Sequence, residues 1–290
     1  MRILVTGCEG QVARSLAERA AGHELVFAGR PELDLADPVS IARTVATVGP
    51  ELIVSAAAYT AVDKAEDEPD LAFAVNGVAP GVIGAAAAKI GAPVLHLSTD
   101  YVFDGTGDRA WTEADPTGPI GVYGRSKLAG EQALAASKAD HVVIRTAWVY
   151  SPFGANFVKT MLRLGADREE LNVVADQFGN PTSALDIADA LLAVIDRWRD
   201  DPTHGRNATY HFAGTGTTNW ADFARAIFSG SAERGGPACR VNSIASAEYP
   251  TRAARPANSR LDCSLFARTF DCRAPAWQES LDKILNRLLG

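Results

Sequence analysis

Met1-Arg2-Ile3-Leu4-Val5-Thr6-Gly7-Cys8-Glu9-Gly10-Gln11-Val12-Ala13 opens the chain, and its reading decides the fold. Arg2–Thr6 reads as a β-strand rich in branched apolar residues. Gly7 permits a tight turn, and a helix begins near Gln11. Gly10 lets backbone N–H groups approach an anion at the positive end of that helix. The pattern is Gly-x-x-Gly-x-x-Ala, with Ala13 where a third glycine often sits. A glycine pattern alone is weak. Placed between a first strand and a first helix, it predicts the phosphate turn of a dinucleotide site, with Gly7, Gly10, Gln11 and Val12 at its edge.

Outward from this turn the first half keeps a β-α-β-α rhythm. Strand candidates are Arg2–Thr6, Glu24–Ala28, Glu51–Ala56, Pro93–Ser98 and His141–Thr146. Helix candidates lie near Gln11–Ala21, Ile41–Val48, Leu71–Lys89 and Val122–Lys138. Strands such as Leu52-Ile53-Val54 are continuously apolar, as strands covered on both faces are. The fold class is α/β: a Rossmann-like, doubly wound parallel sheet with a smaller, intertwined C-terminal substrate domain. Residues 1–150 form the dinucleotide-binding domain, with about 171–213 returning to it. Residues 151–170 and 214–290 belong mainly to the substrate lobe. There a strand is expected at Leu171–Ala175 and another at Thr209–Ala213. Ser183 or Thr182 is expected to cap a helix running to about Arg199, Asn219 a helix over Trp220–Phe228, and Ser229–Pro256 reads as loop.

Composition narrows the function classes. A 290-residue chain that is 47% apolar supports a sizeable core. No apolar run reads as a membrane span, and no signal peptide precedes the first strand. Cys8, Cys239, Cys263 and Cys272 lack metal-ligand spacing, which points to a reducing, cytoplasmic setting and no metal. The net charge of −7, with no basic run, argues against nucleic acid as a partner.

The end of the second strand chooses the cofactor. An acid about 20 residues past the glycines holds a ribose 2′-OH, whereas an arginine accepts a 2′-phosphate. Gly29-Arg30 stands there, favouring NADPH. Glu32 leaves NADH open, and Arg30 alternatively reads as a solvated loop charge. Asp34 and Leu35 are placed to reach the adenine. Ala56-Ala57-Ala58-Tyr59, just before Thr60, ends the third strand, and its small residues would let a dinucleotide lie across the strand ends.

Tyr123 and Lys127 are four residues apart, so a helix puts them on one face. A phenol with a pKa of about 10 is a poor acid at neutral pH, and a neighbouring ammonium would lower it. Thr99, ending the fourth strand, would polarise the same carbonyl. The three form a reductase triad over a nicotinamide. A Tyr-x-x-x-Lys spacing by itself reads equally as a surface pair on a solvated helix.

Seven segments carry a resemblance: the glycine turn, Thr60–Glu66, Ser98–Gly105, Tyr123–Lys127, Arg145–Tyr150, Asp176–Thr182 and Arg255–Leu261. In this order and over nearly the whole chain, they resemble the dTDP-4-dehydrorhamnose reductase family of extended short-chain dehydrogenases. The resemblance implies reduction of the 4-keto group of a nucleotide-linked sugar by NADPH or NADH, with Thr99, Tyr123 and Lys127 catalytic. It implies sugar contacts from Thr99, Asp100 and Trp148, Trp148 alternatively reading as a core aromatic. Arg252, Arg255 and Arg260 are candidates for the substrate diphosphate, or else brace a loop. Two departures stand out, Ala13 for the third glycine and Ser55 where the family commonly has Asn. Some members hold Mg²⁺ at a dimer contact through glutamates; no such glutamates are assignable here. The oligomeric state stays open, a homodimer included. Two other readings compete: a nucleotide-sugar epimerase or dehydratase of the same superfamily, and a non-catalytic regulatory subunit. A dehydratase needs an acid–base pair after the threonine, and Asp100 is followed by Tyr101.

Overall fold

The computed structural model describes all 290 residues. Five strands, β1 (Arg2–Thr6), β2 (Glu24–Ala28), β3 (Leu52–Ser55), β4 (Val94–Thr99) and β5 (His141–Thr146), join a sixth at Ala208–His211 in one parallel sheet. The spatial order is β2-β1-β3-β4-β5 and then the Ala208–His211 strand. The chain winds from β1 outward to β2 and then returns past β1 to β3. The carboxyl ends of β1 and β3 therefore flank a topological switch point, where such sheets bind ligands.

Side-chain alternation gives the sheet two cores. Ile3, Val5, Leu52, Val54, Leu95, Leu97, Val142 and Ile144 face the Gln11–Arg19, Ala184–Asp200 and Ser264–Phe270 helices. Leu4, Ile53, Val94 and Val143 face the other way, against the Pro38–Val48 and Ala79–Ile90 helices. All four residues of β3 are buried, as its unbroken apolar run predicts. Asp37 caps the Pro38–Val48 helix by accepting the Val39 N–H at 2.9 Å. Ser183 and Asn219 cap their helices, accepting the N–H groups of Leu185 and Asp222.

The smaller lobe has its own core of Tyr150, Leu171, Val173, Phe223, Ile227, Val241, Trp277 and Leu281. Three expectations change here. The strand at Glu170–Val174 does not return to the large sheet. It pairs in parallel with Arg240–Ile244, a strand inside the stretch read as loop. Conversely, Phe266 and Phe270 of the Ser264–Phe270 helix pack on the large sheet, so residues 214–290 are shared between the lobes. Finally, the helical stretch Pro69–Ile90 is long and apolar enough to cross a membrane by length and composition. Ala72, Ala79, Ile83, Ala86 and Ala87 are buried in the protein core, and a π-turn at Ala74–Val78 interrupts the stretch.

Candidate active site

Gly7 has φ +88°, a left-handed conformation that only glycine adopts freely, and its N–H donates to the Ala28 carbonyl at 2.7 Å. A Cβ there would lie 3.2 Å from the Ala57 side chain. At Gly10 a Cβ would meet nothing within 4 Å, so the helix N-terminus opens onto free space. No side chain caps that helix, which leaves its first N–H groups for an anion. The turn fits a dinucleotide pyrophosphate. The Thr6 hydroxyl accepts N–H bonds from Ala56 and Ala57, both at 3.0 Å, and so ties β1 to β3 across the switch point.

The other cofactor candidates divide. Arg30 is exposed at the tip of β2. Asp34 Oδ1 accepts the Ala36 N–H at 2.9 Å, so this carboxylate braces its own turn. Leu35 packs against the second core. Val12 is buried, leaving only its backbone at the turn, and Gln11 Oε1 accepts from Ser151 and Asn156 at 2.8 and 3.1 Å. Gln11 therefore ties the first helix to the loop that leads into the smaller lobe. Ala58 and Tyr59 are half-buried and Thr60 is exposed.

Tyr123 and Lys127 lie on the Val122–Ala136 helix, and both approach the end of β4. Lys127 is 2% exposed; its Nζ donates to the Leu97 carbonyl at 2.7 Å and lies 3.5 Å from His96 Nε2. Burial depresses the ammonium to about 8. Burial also raises the Tyr123 phenol, while the Thr99 side chain beside it pulls the other way. Burial thus dominates at the phenol, and the ammonium is turned to the β4 backbone. At neutral pH the phenol keeps its proton. Thr99 donates to Asp100 Oδ1 at 2.9 Å, and burial lifts Asp100 to about 6.

Trp148 sits at φ +48° just past β5 and stacks on Trp220 with ring centroids 3.6 Å apart. It also covers Gly179, where a Cβ would fall 2.5 Å from its ring. Arg255 joins Tyr101 and Asp63, Arg252 pairs with Asp67 at 2.6 Å, and Arg260 lies over the Phe178 ring while its Nε bonds Asn258. All three guanidinium groups thus have partners within the protein.

Several residues were missed. Glu66 accepts the Val122 N–H at 2.7 Å and so caps the helix that bears Tyr123; this explains the Thr60–Glu66 segment. Asn76, buried in the π-turn, grips the Tyr59 backbone through both amide atoms and donates to Ser126 Oγ at 3.1 Å. Ser55 bonds His96, which lies beneath Lys127. A buried Glu131–Arg145 pair supports Ser98. Glu66 closes the Thr60–Glu66 segment and Ser55 stands out as a departure, but the contacts of both are long-range and left no local signal.

A cavity of about 540 Å³ is lined by Glu18, Arg19, Asp186, Asp189, Lys283 and Arg287 among others, and by none of the triad. The chain gathers no group of three or more His, Cys, Asp or Glu side chains placed to hold a metal ion.

Comparison with known proteins gives the same direction. A family model described as the RmlD substrate binding domain matches residues 1–289. The dTDP-4-dehydrorhamnose reductase of Sinorhizobium fredii is 49% identical over 290 residues, covering 100% of this chain and 98% of that protein. A crystal structure of a dTDP-4-dehydrorhamnose reductase from Clostridium acetobutylicum superposes with a TM-score of 0.91 at 35% identity, over 99% of each chain. Another, from Bacillus anthracis in complex with NADP, gives 0.90 at 33% identity, also over 99% of each. By sequence and by fold over essentially its whole length, the chain belongs to the dTDP-4-dehydrorhamnose reductase family.

Proposed function

We propose that the protein reduces the 4-keto group of dTDP-4-dehydrorhamnose to give dTDP-L-rhamnose, with NADPH as reductant. The observation that carries this reading is the convergence of Thr99, Tyr123 and Lys127 at the end of β4, beside the open glycine turn after β1. When bound, NADPH supplies the hydride. Gly7 and the free amides after Gly10 hold its pyrophosphate. Arg30 meets the 2′-phosphate, Ala58, Tyr59 and Thr60 line its path, and Lys127 holds the nicotinamide ribose.

Tyr123 donates its proton to the sugar oxygen as carbon 4 takes the hydride. That oxygen becomes an alkoxide, which is more basic than a phenolate. Proton transfer therefore runs downhill even from a phenol whose affinity for its proton is raised. Thr99 stands beside the same oxygen, with its hydroxyl oriented by Asp100. Trp148, just past β5, would border the sugar. Tyr101 follows Asp100 where a dehydratase needs a second acid, which favours simple reduction. NADPH consumption with synthetic dTDP-4-dehydrorhamnose tests the proposal. One NADPH should disappear per sugar reduced, whereas turnover of the sugar without net NADPH loss would indicate an epimerase.

A further inference from the structure

We infer that Arg255 is a positioning residue for Tyr123, acting through Tyr101 and anchored on Asp63. Arg255 Nη1 donates to the Tyr101 hydroxyl at 3.1 Å, and Nη2 donates to Asp63 Oδ2 at 2.6 Å. The remaining carboxylate oxygen of Asp63 accepts the Ala253 N–H at 3.1 Å. Both ends of the guanidinium fork are thus engaged within the protein. Bidentate capture of a substrate diphosphate needs that fork free.

Tyr101 is held from two sides. Its ring meets Tyr123 edge-on, with centroids 5.6 Å apart and planes at 76°. Its carbonyl presses on the catalytic helix where Gly124 has no side chain; a Cβ there would lie 2.1 Å from the oxygen. The backbone of Tyr101 is fixed by the helix and its hydroxyl by Arg255, so its ring is a wall against which Tyr123 is set.

The strap that carries Arg255 is itself threaded tightly. Gly105, at φ +79°, lets Pro256 pass where a Cβ would collide at 2.4 Å, and the Asn258 N–H donates to the Gly105 carbonyl at 3.0 Å. Asn258 Nδ2 reaches the Thr106 and Arg109 carbonyls at 3.2 and 2.8 Å. The Asp63 and Arg255 segments, 192 residues apart, therefore meet at the ring that borders the proton donor.

This inference rests on the proposed reduction for its assay. Wild-type turnover with the keto sugar tests that function alone; the inference is read from variant-to-wild-type ratios, so the two fail separately. Arg255→Ala, Asp63→Ala and Tyr101→Phe should each lower kcat by about 10-fold, because small misplacements of a reacting group cost that much or more. KM for the sugar and Kd for NADPH should stay within about threefold, since neither contact is lost. Tyr101→Phe keeps the ring and removes only the hydroxyl, so it reports even where the charge deletions fail to fold. The exchanged pair Asp63→Arg with Arg255→Asp should recover most of the kcat lost in Arg255→Asp alone. A raised sugar KM with unchanged kcat in Arg255→Ala, together with a silent Asp63→Ala, would overturn the inference and make Arg255 a substrate ligand.

Discussion

Replacing Lys127 with Met should stabilise the cofactor-free protein at neutral pH, by an amount that shrinks as the pH rises. Lys127 is almost fully buried, and burial moves its ammonium from the ordinary 10.5 to about 8. In the unfolded chain the same group stays protonated up to its ordinary value. Between the two values the unfolded state binds more protons, so stability rises with pH across that window. The charged, buried lysine costs about 3 kcal/mol at pH 7 and only about 1 kcal/mol at about pH 9.5. Methionine fills a similar volume without the charge, but forfeits the bond to the Leu97 carbonyl, a loss of about 1 kcal/mol at either pH. Lys127→Met should therefore be more stable by about 2 kcal/mol at pH 7 and nearly equal to wild type at about pH 9.5. Guanidinium midpoints at both pH values, with unchanged slopes, measure this. A gap that does not vary with pH, or a wild type that is the more stable at pH 7, would refute it.

Gly124→Ala should lower kcat and cost about 2 kcal/mol, because the new Cβ meets the Tyr101 carbonyl at 2.1 Å; thermal melts and steady-state rates check this. Glu131→Ala leaves the Arg145 guanidinium buried without its partner and should cost about 3–5 kcal/mol by denaturant titration. Arg30→Ala should raise the KM for NADPH by about 10-fold and spare that for NADH, the loss of one charge-assisted phosphate contact. Equal effects on both cofactors would return Arg30 to the role of a solvated loop charge.

The large sheet was legible because its signals are local. A strand, a glycine turn and a helix follow one another within Arg2–Arg19, and β1, β2 and β5 begin and end where the apolar runs do. The pairing of Glu170–Val174 with Arg240–Ile244 was not legible, since its partners are 70 residues apart and no turn sets their register. The Tyr123–Lys127 spacing gave a shared helix face, but not the direction of the ammonium. That direction depends on the Leu97 carbonyl and His96, which only the folded sheet presents. Asn76 stayed hidden because nothing in the apolar stretch around it marks a π-turn. Arg255 reads from sequence as a phosphate candidate or a brace; its contact with Asp63, 192 residues away, is the kind of long-range pairing that no local signal announces.

The central claim is that the Tyr123 phenol delivers a proton to the sugar oxygen as hydride reaches carbon 4. Its most direct test is a single-turnover reaction of Tyr123→Phe with saturating NADPH and the keto sugar. NADPH binding should match wild type, and the chemical step should slow by at least about 100-fold, because only the transferable proton is removed. A Tyr123→Phe enzyme that oxidises NADPH at the wild-type rate would contradict the account.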